Sequence, residues 1–220
     1  AWEPVPTVKD GSTTLASGTD YEVTYGSNTT VAQGGTVTID FKGNYSGQKV
    51  VNFTITPQEL SVVNVTVAAP ATGATPVTSV GGGTNTYSGT VSWSPTVSSK
   101  FLGSTVYTGT FTIAPINGNY TFAASPTVNI NGTAGTVSSS TTTSATVTLA
   151  FPQTGAAAVT GLTITQQPTL TYNEGQTLDL SGLIVTLTYN DDSTETGITF
   201  AQFSTKNIFT SPLNGVTLAM

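Results

Sequence analysis

Short runs in which apolar and polar residues alternate recur along the whole chain, and turn-forming residues separate them. Val37–Phe41 and Val51–Ile55 each place three apolar side chains on one face, and Lys42–Gly47 between them has the composition of a turn. Later runs of the same kind are Ser61–Val67, Thr90–Trp93, Tyr107–Ile113, Thr146–Phe151 and Ile184–Tyr189. No window of ten or more residues shows the period of an amphipathic helix. Strands with one buried face suit two packed sheets, so the pattern predicts an all-β chain of β-sandwiches.

The scarcity of charge excludes several classes of function. Charged residues make up 7% of the 220 residues, the net charge is −6, and every basic residue is a lysine. Without His or Cys the chain can form no Ser-His-Asp triad, thiol nucleophile or ordinary zinc site. Five lysines against eleven acids cannot form the basic surface that nucleic-acid binding needs, and no apolar run could span a membrane. We therefore expect that the chain is not an enzyme and has no catalytic residues, cofactor or metal site. We also expect that it binds no nucleic acid and does not insert into a membrane.

Composition also favours an extracellular location. Hydrophobic residues at 37% and a mean hydropathy of +0.08 argue against disorder. Few lysines leave few sites for trypsin-like proteases, and a domain of this size can fold without disulfides. Because no charged and apolar leader precedes Ala1, we expect that a secretion signal has been removed.

The uneven distribution of charge and two stretches that contain Pro or Gly predict three modules. Acidic residues outnumber lysines by three in residues 1–59 and by four in residues 158–220, whereas Lys100 is the lone charge between them. Thr56–Glu59 and Pro152–Ala158 fall at these borders, and their Pro and Gly residues are typical of joints. The predicted modules are residues 1–57, 58–157 and 158–220.

Each predicted module contains a recognisable motif. The motif residues are Gly18–Tyr25, Gly43–Gly47 and Phe53–Ile55 in the first, Pro70–Val77, Val91–Pro95, Val106–Thr108 and Gly118–Phe122 in the second, and Leu162–Thr165, Gln167–Pro168, Tyr172–Gly175 and Leu178–Gly182 with Leu183 in the third. The chain thereby resembles the tandem immunoglobulin-like repeats of cell-surface proteins, adhesin or S-layer-like, from Gram-positive and anaerobic bacteria.

This resemblance implies three immunoglobulin-like β-sandwich modules in a row at the cell surface or in the cell wall. The first lacks its usual first strand and the third stops at Val216–Met220, so we expect incomplete terminal modules with open sheet edges. A fragment of a longer array explains this best, and strand exchange between subunits of a filament is the alternative. The implied partners are neighbouring modules of a longer chain.

The expected function is a non-enzymatic spacer that extends or presents an adhesive or catalytic domain. One alternative is an adhesin module that binds a host or cell-wall glycan or a matrix protein through its loops, of which Gly81–Asn85 and Ser138–Ser144 are the longest. Another is an accessory region of a secreted polysaccharide-degrading enzyme.

Two acidic clusters each have a functional and a structural interpretation. Asp191, Asp192 and Glu195 could hold Ca²⁺, but a hairpin turn at Asn190–Ser193 explains them better because Asp favours turns. Asp20 and Glu22 share a strand face and could act as a glycosidase pair, but surface acids are the simpler interpretation.

Aromatic and lysine side chains offer two further candidates. Trp93, Tyr107, Phe111, Tyr120 and Phe122 could stack on sugar rings, but their alternation with polar residues favours core packing, and Trp2 is expected to cover an edge or a neighbouring module. A Lys–Asn isopeptide bond would need Lys42 or Lys49 near Asn52, with Asp40 as the buried acid.

Overall fold

The computed structural model describes residues 1–31, 34–82 and 86–219. The chain is all-β, as predicted, because strands account for 45% of it and helix for 4%. The strands are β1 (Lys9–Asp10), β2 (Thr13–Thr14), β3 (Tyr21–Gly26), β4 (Gly35–Phe41), β5 (Gln48–Phe53), β6 (Gln58–Val65), β7 (Ser79–Gly81), β8 (Tyr87–Ser94), β9 (Thr108–Pro115), β10 (Tyr120–Ile130), β11 (Thr133–Ala134), β12 (Thr136–Ser140), β13 (Ala145–Ala150), β14 (Val159–Gln166), β15 (Ile184–Tyr189) and β16 (Thr194–Thr199). A 3₁₀ helix over Phe200–Lys206 follows the last strand. Within the described ranges, no helix is long and apolar enough to cross a membrane.

Near the N-terminus, β3, β4 and β5 form an antiparallel sheet in that order, and β1 pairs with β2. Leu15, Tyr21, Val37 and Ile39 form its core. The prediction that Val51–Ile55 buries one face is confirmed only in part, because Ile55 is 8% exposed and Phe53 packs against this core, whereas Val51 stays 45% exposed and the strand ends at Phe53. β5 is the last strand of its sheet, and an edge strand has fewer neighbours to cover its side chains.

The middle of the chain forms two sheets. One has the order β12-β13-β9-β8-β7 and the other has the order β11-β10-β6, in which β10 and β6 run parallel. The Tyr87 hydroxyl on β8 donates a hydrogen bond to the Asn64 carbonyl on β6 at 3.0 Å, which joins the two sheets. Phe111 and Phe122, one from each sheet, are completely buried. This arrangement is consistent with the predicted β-sandwich.

The C-terminal part is a sheet of the order β14-β15-β16 with the 3₁₀ helix beside it. Its core consists of Leu183, Val185, Leu187, Ile198 and Phe203. β15 has the predicted bounds, and the hairpin turn that follows it was also predicted correctly. The helix was not predicted, because its seven residues are too short to show a helical stripe.

The chain divides into two compact units that do not follow chain order. The first comprises Ala1–Val67, Ser79–Val91 and Thr110–Leu149, and the second comprises Ala68–Thr78, Ser92–Gly109 and Ala150–Met220. The second unit therefore contains the predicted joint at Pro152–Ala158 together with parts of the second and third predicted modules. The division into three modules stays a prediction.

Candidate functional site

Asp191, in the turn between β15 and β16, accepts three hydrogen bonds through its carboxylate. It is only 4% exposed, and its Oδ2 accepts a hydrogen bond from the Gly103 N–H at 2.8 Å. Its Oδ1 accepts from the Ser193 N–H at 3.0 Å and from the Ser193 hydroxyl. The hydrogen bonds from Ser193, with that from Gly103, lower the pKa of the Asp191 carboxyl. The buried carboxylate is thus ionised and satisfied.

The neighbouring Asp192 holds the loop before Gly103 by an ion pair. Its Oδ1 lies 2.8 Å from the Lys100 Nζ, and its Oδ2 accepts from the Ser99 hydroxyl at 3.2 Å. The Lys100 Nζ also donates to the Asn190 carbonyl at 3.2 Å. These contacts lower the pKa of Asp192, mainly through the hydrogen bond from Lys100. Lys100, the lone charge of residues 60–157, is therefore neutralised by the turn that follows β15.

Residues 151–158, here called the second joint, run beside the loop 99–107. The Phe151 N–H donates to the Tyr107 carbonyl at 2.8 Å, and the Ser104 N–H donates to the Gly155 carbonyl at 2.9 Å. At the end of the joint, the Ala158 N–H donates to Asn190 Oδ1 at 2.9 Å. The Asn190 N–H in turn donates to the Ala158 carbonyl at 2.9 Å. The joint is therefore hydrogen-bonded along its length, although its Pro and Gly residues are typical of a flexible linker.

Two small residues make this close approach possible. Thr154 is 6% exposed, and its hydroxyl donates to the Leu102 carbonyl at 2.6 Å while accepting from the Thr105 N–H at 2.9 Å. A Cβ on Gly103 would lie 2.5 Å from the Ala157 backbone nitrogen, so only glycine fits there without movement. No local pattern in the sequence indicates the role of Gly103. For Lys100, its isolation among uncharged residues was a signal that it needed a partner elsewhere.

The Ca²⁺ interpretation of the acidic turn finds no support in the geometry. Asp191 and Asp192 bond to the loop 99–107 and to Ser193, whereas Glu195 pairs with Lys206 at 2.6 Å and accepts from the Tyr189 hydroxyl at 2.7 Å. Among the described residues, no group of three acidic side chains is placed to hold a metal ion. Each carboxylate has its own partners, as the turn interpretation expects.

The predicted glycosidase pair does not share one strand, because β3 begins after Asp20 and the two carboxylates bond to different partners. Asp20 precedes β3 and accepts a hydrogen bond from the Ala16 N–H at 2.8 Å. Glu22 pairs with Lys42 at 2.6 Å. Both acids are thus engaged in local surface contacts.

The isopeptide candidates do not meet. The Lys42 ammonium is bound to Glu22, and Asp40 accepts a hydrogen bond from Gln48 instead of facing a lysine–asparagine pair. Lys49 lies on the exposed edge strand β5, three residues before Asn52 and so on the opposite face.

The aromatic candidates pack in the interior. Tyr107, Phe111 and Phe122 are at most 1% exposed, which confirms core packing for these three. Trp93 is half-buried, and its Nε1 donates to the Val77 carbonyl at 2.8 Å. Tyr120 is half-buried as well, whereas Trp2 is 68% exposed and its backbone N–H bonds to the Asn28 carbonyl at 2.9 Å.

Of the two loops proposed for ligand binding, Gly81–Asn85 lies partly outside the described residues, since only Gly81 and Gly82 are described. The interpretation of Ser138–Ser144 as a long loop was wrong. Its first residues belong to β12, and Thr141–Ser144 is a tight hairpin turn closed by a hydrogen bond of 2.8 Å from the Thr141 N–H to the Ser144 carbonyl. Serine hydroxyls support the strand, because Ser138 donates to the Thr146 carbonyl and Ser140 to the Ala124 carbonyl.

The second unit also carries an apolar groove of about 470 Å³. Its walls include Ile164, Pro168, Leu170, Tyr172 and Pro212. Leu170 is 73% exposed, and the Tyr172 hydroxyl is held by the Asp179 backbone, to whose carbonyl it donates at 3.0 Å. The groove offers apolar surface and an aromatic ring, and none of the described residues that line it is charged.

No family model, no curated protein and no solved structure matches the chain. The resemblance to immunoglobulin-like repeats therefore stays a prediction.

Proposed function

We propose that the chain is a non-enzymatic spacer from a bacterial cell-surface protein, built of three immunoglobulin-like modules in series. Residues 1–57, 58–157 and 158–220 are the modules. Neighbouring modules of a longer chain are its partners, and its role is to hold an adhesive or catalytic domain away from the cell wall.

The hydrogen-bonded second joint is the observation that carries this proposal. A flexible linker lets a module swing. Here the joint is bonded at Gly155 and Ala158, and beside it the Asp191 carboxylate of the third module accepts a hydrogen bond from Gly103 of the second, which restricts such swinging. Buried and partly buried polar groups hold the joint by hydrogen bonds. A linker that served only to separate two modules would not need these bonds. The scarcity of lysine adds resistance to trypsin-like proteases outside the cell.

A display experiment tests this proposal. The chain is placed between a cell-wall anchor and an epitope, and a second version has residues 151–158 replaced by a Gly-Ser segment of the same length. A spacer predicts that antibody access to the epitope falls in the Gly-Ser version at equal surface expression. Equal access for both versions would contradict a role that depends on the joint.

The apolar groove supports a second candidate, an adhesin module that binds a glycan or a matrix protein. Pro168, Leu170 and Tyr172 present apolar and aromatic surface of the kind that binding sites use. A panel of glycans, peptidoglycan, mucin and matrix proteins distinguishes the two candidates. Saturable binding that is lost in Leu170→Ser would favour the adhesin, and a folded chain that binds nothing in the panel would favour the spacer.

A further inference from the structure

Three Asn-Gly pairs occur in the chain, at residues 117–118, 131–132 and 214–215. This dipeptide is the one most prone to deamidation, since glycine leaves the following backbone nitrogen unhindered for attack on the asparagine amide. All three asparagines are exposed, so solvent access does not distinguish them. Hydrogen bonding to the two reacting groups does.

Asn214 and Gly215 are both held. The Asn214 Oδ1 accepts a hydrogen bond from the Leu180 N–H at 2.6 Å. The Gly215 N–H, which carries the attacking nitrogen, donates to the Leu178 carbonyl at 2.8 Å. Attack at this pair therefore requires both hydrogen bonds to break.

Asn131 is held through its side chain. Its Oδ1 accepts from the Val67 N–H at 3.0 Å, and its Nδ2 donates to the Val67 carbonyl at 2.9 Å. The amide thus pairs with the Val67 backbone as a neighbouring strand residue would. Rotating it toward the Gly132 nitrogen would break both bonds.

Asn117 and Gly118 lie in the turn between β9 and β10, at φ +61° and φ +64°. No described residue makes a hydrogen bond to the Asn117 side-chain amide or to the Gly118 N–H. The turn can therefore rotate into the geometry of attack without breaking a hydrogen bond of the described structure.

We propose that Asn117 is the site at which the folded chain deamidates spontaneously. The Gly118 backbone nitrogen loses its proton and forms a bond to the Asn117 Cγ, and the Cγ–Nδ2 bond breaks. The Nδ2 group takes up a proton and departs as ammonia, and a succinimide ring remains. Water then opens this ring at either carbonyl, which yields aspartate or isoaspartate and restores the peptide chain.

The position of the turn gives this reaction a structural consequence. The carbonyl of Asn119, two residues later, accepts a hydrogen bond from the Gln58 N–H at 2.9 Å, at the first paired residue of β6. Gln58 directly follows Pro57, in the first predicted joint. A new carboxylate at position 117, and in isoaspartate an extra methylene in the backbone, would alter the anchor of that joint as the protein ages.

Time-resolved peptide mapping by mass spectrometry tests the proposal in mildly alkaline buffer, with and without urea. In the folded chain Asn117 should convert at least about tenfold faster than Asn131 or Asn214, because two hydrogen bonds protect each of the latter. In urea the three rates should converge, since the dipeptides are identical. The variant Asn117→Gln should lose the fast-converting species and keep the two slow sites.

Two results would overturn the proposal. One is conversion of Asn131 or Asn214 in the folded chain as fast as that of Asn117. The other is an Asn117 that stays intact in the folded chain while the urea sample converts.

Discussion

The carboxylate of Asp191 accepts a hydrogen bond at 2.8 Å from the backbone N–H of Gly103, 88 residues earlier in the chain. This bond ties the turn after β15 to the loop that lies beside the second joint. A hydrogen bond to an ionised carboxylate is stronger than one between neutral groups. Because the Asp191 carboxylate is buried and its pKa is lowered, it depends on these hydrogen-bond partners to stay charged in the interior.

Asp191→Asn should lower the free energy of unfolding by about 1–3 kcal/mol. The side-chain NH2 group of the new asparagine would replace one carboxylate oxygen, so a donor would face a donor at Gly103 or at Ser193. Chemical denaturation measures the loss. Glu174→Gln is the matched control, since it removes one acidic charge at an exposed site and should leave stability unchanged. Equal effects of the two substitutions would indicate that net charge matters, and that the contacts of Asp191 do not.

Gly103→Ala should destabilise the chain by about 1–3 kcal/mol, because the new Cβ would lie 2.5 Å from the Ala157 nitrogen. Gly155→Ala, in the second joint beside the loop that contains Gly103, is the control, because the nearest atom to a new Cβ there is 3.8 Å away. Thermal denaturation should show a lower Tm for the first variant only. A tolerated Gly103→Ala would mean that the joint is looser than described.

Stability should fall as the pH drops below about 4, the ordinary range of Asp. Hydrogen bonds lower the pKa of Asp191 and Asp192 in the folded state, so the stabilisation is present above the unfolded pKa and is lost as the pH falls through the folded one. Denaturation midpoints across this range should fall less steeply in Asp191→Asn than in the parent chain. Parallel curves would contradict a contribution from Asp191, because all other acids are common to both.

The two tryptophans should respond differently to substitution. Trp93→Phe removes the hydrogen bond to the Val77 carbonyl and part of the packing on Phe101, whose ring centroid lies 5.1 Å away, and should cost about 1–3 kcal/mol. Trp2→Phe should change stability by less than about 0.5 kcal/mol, because Trp2 is 68% exposed. Denaturation followed by circular dichroism compares them, and a neutral Trp93→Phe would argue against a structural role for this ring.

Local patterns predicted much of the strand structure. The bounds of β15 and the hairpin turn after it follow from alternation and from the preference of Asp for turns. The strand β12 did not follow, because its run of serines and threonines shows no alternation. Backbone contacts of the Ser138 and Ser140 hydroxyls support that strand, and no periodicity reveals them.

Long-range pairing could not be predicted from the sequence. Alternation shows that β6 is a strand but not that it runs parallel to β10, more than fifty residues later. The same limit applies to the candidate site. The acidic turn and Lys100 were visible as charges, but only the fold brings Asp192 within 2.8 Å of Lys100 and Asp191 onto Gly103.

Nuclear magnetic relaxation of backbone ¹⁵N tests most directly whether the second joint is rigid. If residues 151–158 are held by their hydrogen bonds to Tyr107, Ser104 and Asn190, their amides should give order parameters of about 0.85, like those of the strands β13 and β14. Order parameters below about 0.6 across the joint would describe a flexible linker and would contradict a spacer that depends on its stiffness.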